Sequence, residues 1–228
     1  MESAGVDRLP VTLEEAGALQ EELADRVVLE PLARAPRSIG AVDAAYAEGT
    51  TYAAAVLCRY DTLAPLTERV VVRETSFPYL PGYFWLREAP PLLEAIAALQ
   101  PRPDVLLVDG QGIAHPRRFG IACHLGVLTG IPSIGCAKSH LIGTYREPGR
   151  EKGNWTPLEQ DGSLVGAVLR TRTDVRPLFI SPGHRVTLED ALAVVLHCCT
   201  DCRVPEPMRQ ADRAARQAMK SVLSLHLS

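Results

Sequence analysis

Residues 104–108 end in the unbroken apolar run Val105-Leu106-Leu107-Val108, and Asp109-Gly110-Gln111-Gly112 follows at once. A run this short, closed by glycines, reads as a strand buried on both faces, and such a strand needs helices above and below its sheet. Residues 133–137 read as a second strand of that kind. The chain starts differently. Residues 38–46, 51–60 and 68–74 read as three strands, and Glu48-Gly49 and Asp61-Thr62 mark tight connections between them. Links that short join antiparallel neighbours. Helices are expected over 13–29 with Thr12 as N-cap, and over 90–99, 120–128, 188–199 and 207–223. Late strands are expected over 164–170 and 178–181. An antiparallel meander followed by strands alternating with helices makes the fold class α/β, a mixed sheet flanked by helices. No repeat or linker divides residues 1–228, so one domain is expected. Residues 1–10 read as a flexible tail, 77–82 as a stiff loop, and 144–162, polar and irregular, as a surface insertion.

The chain's 228 residues, 46% hydrophobic and 22% charged, exclude a disordered or fibrous protein. No apolar stretch approaches the ~20 residues of a membrane span, and no secretory signal opens the chain. Those features imply a cytoplasmic protein, or a nuclear one where a nucleus exists. The net charge of −3 is unevenly spread: residues 1–100 carry 8 basic and 15 acidic side chains, the remainder 16 and 12. The second part therefore suits an anionic partner, although a solvated surface explains the bias as well. Cys199 and Cys202 form a CxxC with no second half for a zinc site. With Leu188, Leu192 and Val195 they continue a helical apolar stripe, which favours core cysteines over redox chemistry.

Four carboxylates stand out. Asp43 interrupts an apolar strand, where it must be paired, bonded or metal-bound, unless an edge position leaves it in water. Asp109 ends a buried strand, the position where α/β sheets bind ligands, but an ordinary Asp-Gly turn would look the same. Glu88 precedes Pro90-Pro91 at an expected helix start, where the helix dipole alone would account for it. Asp212 lies on the last helix four residues before Arg216, the spacing of a solvated ion pair. Were the four to converge, oxygen-only ligands would favour Mg²⁺ or Mn²⁺ and suit phosphodiester hydrolysis.

Seven motifs then occur in order between about residues 20 and 220. They are Val42-Asp43; Pro78-Tyr79-Leu80-Pro81-Gly82; Phe84-x-x-Arg87-Glu88-x-Pro90; Val108-Asp109-Gly110-Gln111-Gly112 with His115-Pro116-Arg117-Arg118; Gly135-Cys136-Ala137-Lys138-Ser139; Ser181-Pro182-Gly183-His184; and Pro205-Glu206-Pro207-x-Arg209-x-Ala211-Asp212. Together they resemble endonuclease V. The resemblance implies a ribonuclease H-like fold whose central strands set Asp43 beside Asp109. It implies a Mg²⁺-dependent enzyme, with Mn²⁺ as substitute, that recognises deoxyinosine in DNA. Such an enzyme cuts the second phosphodiester bond on the 3′ side and leaves 3′-hydroxyl and 5′-phosphate ends.

By the same resemblance Asp43, Asp109 and Glu88 are metal ligands and Asp212 holds the variable fourth position. Lys138 faces the scissile phosphate, and His115 is a second candidate for positioning phosphate or water. Tyr79 is the wedge that fills the space of a flipped base. Main-chain groups at Gly82, Gly110, Gly120 and Ile121 form the hypoxanthine pocket. Gly153-x-Trp155-Thr156-Pro157-Leu158 and Val168-Leu169-Arg170-Thr171 resemble the bacterial branch, which implies DNA, since animal members prefer RNA. Cleavage of inosine-containing RNA, inosine binding without cleavage, and a thiol oxidoreductase built on Cys199 and Cys202 are the competing readings. No exposed heptad pattern asks for a partner, so a monomer is expected.

Overall fold

A computed structural model describes residues 12–75 and 84–226. Among them, eight strands form one sheet and five helices pack on it. In chain order these are α1 (Leu13–Ala24), β1 (Ser38–Ala47), β2 (Thr50–Arg59), β3 (Pro65–Glu74), α2 (Phe84–Ala97), β4 (Val105–Val108), α3 (Ile121–Thr129), β5 (Ser133–Ala137), β6 (Trp155–Gln160), β7 (Ser163–Leu169), β8 (Leu178–His184), α4 (Leu188–Cys198) and α5 (Glu206–His226). The strand order is β3-β2-β1-β4-β5-β8-β7-β6. The β1–β4 and β4–β5 pairs are parallel, and all others are antiparallel. The expected meander and the buried central strands are both present.

Strand alternation sorts the core into two layers. Ile39, Ala41, Val56, Cys58, Val105, Leu107, Ile134 and Cys136 face α4 and the start of α5. Val42, Ala53, Ala55, Leu57, Leu106 and Val108 face α2 and α3. Helix α1, closed by a capping box between Thr12 and Glu15, packs against α3. Among the described residues no helix is long and apolar enough to cross a membrane.

Three local expectations change. Helix α2 starts at Phe84, so Pro90 and Pro91 lie inside it and Glu88 lies beyond its first turn. The dipole account of Glu88 therefore fails. The apolar face formed by Trp85, Leu86, Ala89, Leu92, Ala95 and Ile96 outweighs the hydrogen bonds the prolines remove. Within 144–162, Trp155–Gln160 forms the edge strand β6, where Pro157 is tolerated because an edge needs fewer donors. Helix α4 stops at Cys198, and Cys199 turns to extended backbone. The stripe that joined Cys199 to Cys202 is therefore broken.

Candidate active site

The β1–β4 ladder explains how two acids come together. Its register sets Ile39 opposite Val105, Ala41 opposite Leu107 and Val42 opposite Val108. One step further along the same ladder, Asp43 and Asp109 stand on the face that Ile39, Ala41, Val105 and Leu107 make apolar. Strand β1 lies between β2 and β4, which excludes the edge-strand account of Asp43. Lys138 is the first residue after β5, at the same sheet end, and its Nζ donates to Asp109 Oδ2. Helix α5 crosses β1 and β2 and brings Asp212 to this end. Asp212 also accepts from Arg216 at 2.6 Å, so the ion pair and the place beside the other acids coexist.

The electrostatics follow from crowding. Burial, and then the charge of Asp109, push the Asp43 carboxyl up to about 7, although its Oδ1 accepts from Ala44 N–H at 2.8 Å. Burial pushes Glu88 up to about 8, reinforced by Asp43 and Asp109 and opposed by a hydrogen bond from Tyr46. That bond runs from the Tyr46 hydroxyl to Glu88 Oε1. The Arg87 guanidinium lies 3.5 Å above the Tyr46 ring, a cation–π contact that fixes the ring. Burial, the largest single influence, works to lower Lys138, but its hydrogen bond to Asp109 together with the charges of Asp109, Asp43 and Asp212 raises it.

Two cavities meet at this wall. One, of about 280 Å³, is lined by Asp43, Asp109, Lys138, Arg209, Asp212 and the Cys202–Arg203 turn. The other, of about 360 Å³, is lined by Trp85, Gly110, Gln111, His115, Gly120 and Ile121, and shares Asp109 and Lys138 with the first. His115 therefore stands on the second cavity's side. Burial and the Arg117 charge push its imidazole down to about 4, so it is neutral, with Nδ1 accepting from Arg117 N–H. Close approach shapes this wall: a Cβ on Gly120 would lie 2.2 Å from the Gln111 carbonyl oxygen, and one on Gly110 would lie 2.5 Å from Ile121 Cγ2. Gly120 N–H already bonds Gly112 O at 2.9 Å, whereas Ile121 N–H, at the first turn of α3, has no main-chain partner among the described residues. Tyr79 and Gly82 lie outside the described residues.

Several residues in and around the site carried no signal in the sequence. Tyr46 touches Glu88 across 42 positions. Arg203 donates to the main-chain oxygens of Arg176, Pro177 and Lys138, fixing the turn against β5. Both contacts are long-range, which no local spacing announces. Cys202, expected in the core, is half-buried and lines the carboxylate cavity. Cys199 is buried and its thiol is pushed up to about 12, which disfavours the thiolate that redox chemistry needs.

The donor set fits a hard divalent cation. Asp43 and Asp109 are carboxylates close enough to repel each other, a repulsion such an ion would relieve. Among the described residues no three carboxylate, histidine or cysteine side chains are gathered for a metal. Two carboxylates are nonetheless enough for an ion of the Mg²⁺ type, which completes its shell with water and phosphate.

Comparison with known proteins gives a consistent result. The sequence profile of the family described as endonuclease V matches residues 21–213. The endonuclease V of Geotalea uraniireducens is 51% identical over 212 residues, 93% of this chain and 91% of the relative. That of a Roseiflexus species is 48% identical, covering 90% of this chain and 93% of the relative. Among solved structures, the endonuclease V of Streptomyces avermitilis superposes with a TM-score of 0.91 at 43% identity, over 95% of this chain and 97% of its own. The Ciona intestinalis endonuclease V, solved with a 24mer DNA containing an inosine followed by a ribo-adenosine, gives 0.82 at 28% identity, over 92% and 98%.

Proposed function

The chain belongs to the endonuclease V family, and from that premise we propose a Mg²⁺-dependent endonuclease that recognises deoxyinosine in DNA and hydrolyses the second phosphodiester bond on its 3′ side. The products carry 3′-hydroxyl and 5′-phosphate ends. The observation that carries this reading is the pair of cavities divided by Asp109 and Lys138, one suited to a base and one to a phosphate. The larger falls within the range of small-molecule sites.

Asp43 and Asp109 would hold the cation. When bound, it polarises the phosphate and makes a water nucleophilic near neutral pH. Lys138 offsets charge on the scissile phosphate. Glu88, with Oε1 held by Tyr46, keeps Oε2 to orient a water. Asp212 is the third acid of the carboxylate cavity's wall, with Asp43 and Asp109. In the neighbouring cavity the Ile121 N–H and the main chain at Gly110 read the edge of hypoxanthine. His115, neutral, donates from Nε2. Tyr79 would fill the gap in the stack and Gly82 would add a main-chain group to the base pocket, as the family resemblance implies.

The test uses end-labelled duplex DNA and single-stranded RNA, each with one inosine, incubated with Mg²⁺ or with EDTA. The expected result is a Mg²⁺-dependent cut one nucleotide beyond the inosine in DNA. A cut confined to RNA would replace the substrate but keep the chemistry. Binding without cutting in either would overturn the catalytic reading.

A further inference from the structure

Helix α5 carries Arg209, Arg213, Arg216 and Lys220, spaced four, three and four residues apart, so all four lie on one face. From first to last the stripe spans roughly 16 Å, the axial length of about five nucleotides of one strand. With Asp212 and Gln217 it lines a third cavity, of about 460 Å³, which shares Arg209, Asp212 and Arg216 with the carboxylate cavity. Base cavity, carboxylate cavity and basic stripe thus follow one another as a continuous track.

The cations along this track differ. Arg209 is paired with Glu206 at 2.5 Å and Arg216 with Asp212 at 2.6 Å. Arg213 and Lys220 are exposed and have no ion-pair partner among the described residues. From Arg213 to the end of α5 there is no acidic residue. Cations near a helix C-terminus also suit the helix dipole, but that effect is confined to the last turn. Arg213 and Arg216 stand ten or more residues before His226, too far for it to account for them. In a chain of net charge −3, a cationic stripe that leads out of the carboxylate cavity and keeps Arg213 and Lys220 without an ion-pair partner among the described residues has a different explanation.

We propose that Arg213, Arg216 and Lys220 seat the phosphodiester backbone of the substrate strand on the 3′ side of the scissile bond. The polarity rests on the functional reading above. With the base in the cavity of Gly110 and Ile121 and the cut beside Asp43 and Asp109, the strand that continues past the cut enters the α5 groove. That strand is the 3′ flank, beginning at the phosphate that becomes the product's 5′ end. Arg216 shares its charge with Asp212, so Arg213 and Lys220 make the stronger phosphate contacts.

The test compares the wild-type protein with the Arg213→Gln/Lys220→Gln double variant. Both positions are exposed, and unchanged circular dichroism and melting temperature will establish that the variant folds. Binding is measured in EDTA on inosine-containing duplex DNA, on the same duplex with the 3′ flank trimmed to just past the cut, and on one trimmed equally on the 5′ side. Wild type is expected to lose affinity several-fold on 3′ trimming and little on 5′ trimming. The double variant should bind the full duplex more weakly and be indifferent to 3′ trimming. Its plot of log affinity against log salt should be shallower by about 2, near 0.9 for each lost phosphate contact. A variant that keeps the wild-type slope and the wild-type response to 3′ trimming overturns the proposal. So does a wild type whose affinity depends on the 5′ flank instead. A wild type that binds inosine and adenine duplexes equally overturns the functional reading, and the assigned polarity falls with it.

Discussion

Asp43 is a carboxylate whose surroundings oppose its ionisation, and that is its use. Burial and the facing Asp109 hold it near 7, so a divalent cation held by these carboxylates would remove a penalty that the protein otherwise carries. Asp43→Asn and Asp109→Asn are each expected to cut the cleavage rate about a thousandfold or more, the several kcal/mol that a positioned metal contributes. Melting curves near wild type would show that the loss is chemical. His124 shows the opposite logic. Its ring stacks on Trp85 at 4.3 Å, its Nδ1 has no partner among the described residues, and burial pushes it down to about 3. A histidine depressed in the fold contributes stability above the unfolded value, near 6.5, and that contribution is lost as the unfolded chain takes up the proton first. Between about pH 7 and pH 5 this costs about 2 kcal/mol. His124→Phe should flatten that acid limb in denaturant melts at the two pH values. An unchanged pH dependence would assign the limb to other groups.

At the scale of elements, the centre depends on loops that lie unusually close. Gly120→Ala would drive a methyl against the Gln111 carbonyl, separating the start of α3 from the loop after Asp109. Overpacking of this kind costs about 1–3 kcal/mol, and cleavage should fall with it, because Asp109 and the Ile121 N–H sit on the two displaced segments. Thr187→Ala is the control. It removes the N-cap of α4, whose side chain accepts from Asp190 N–H at 3.2 Å, and should cost about 1 kcal/mol in stability with kcat unchanged. These elements also mark how far the sequence could be read. The meander and the β4 and β5 runs follow from period and burial, which are local properties, whereas the facing of Asp43 with Asp109 is implied only by the family resemblance, because it joins strands far apart in the chain. The start of α2 and the strand β6 were hidden because Pro90, Pro91 and Pro157 argue locally against regular structure, and only packing or an edge position reverses that argument. The Tyr46–Glu88 bond and the Arg203 clamp were hidden because they join distant segments.

For the whole molecule, cation binding and folding are one equilibrium. An ion that binds only the folded chain stabilises it by about 1.4 kcal/mol at ten times its dissociation constant. The melting temperature should therefore rise with Mg²⁺ or Mn²⁺ and return to baseline with EDTA. Asp43→Asn should lose this response even where its own melting point is normal.

The proposed centre draws on Asp43, Glu88, Asp109, Lys138 and Asp212, carried by or next to five elements that reach from β1 to α5. Its key pairing, β1 with β4, joins strands about sixty residues apart along the chain. No short stretch of the polypeptide therefore holds a working centre. Cleavage is thus expected only once α5 has packed on β1 and β2.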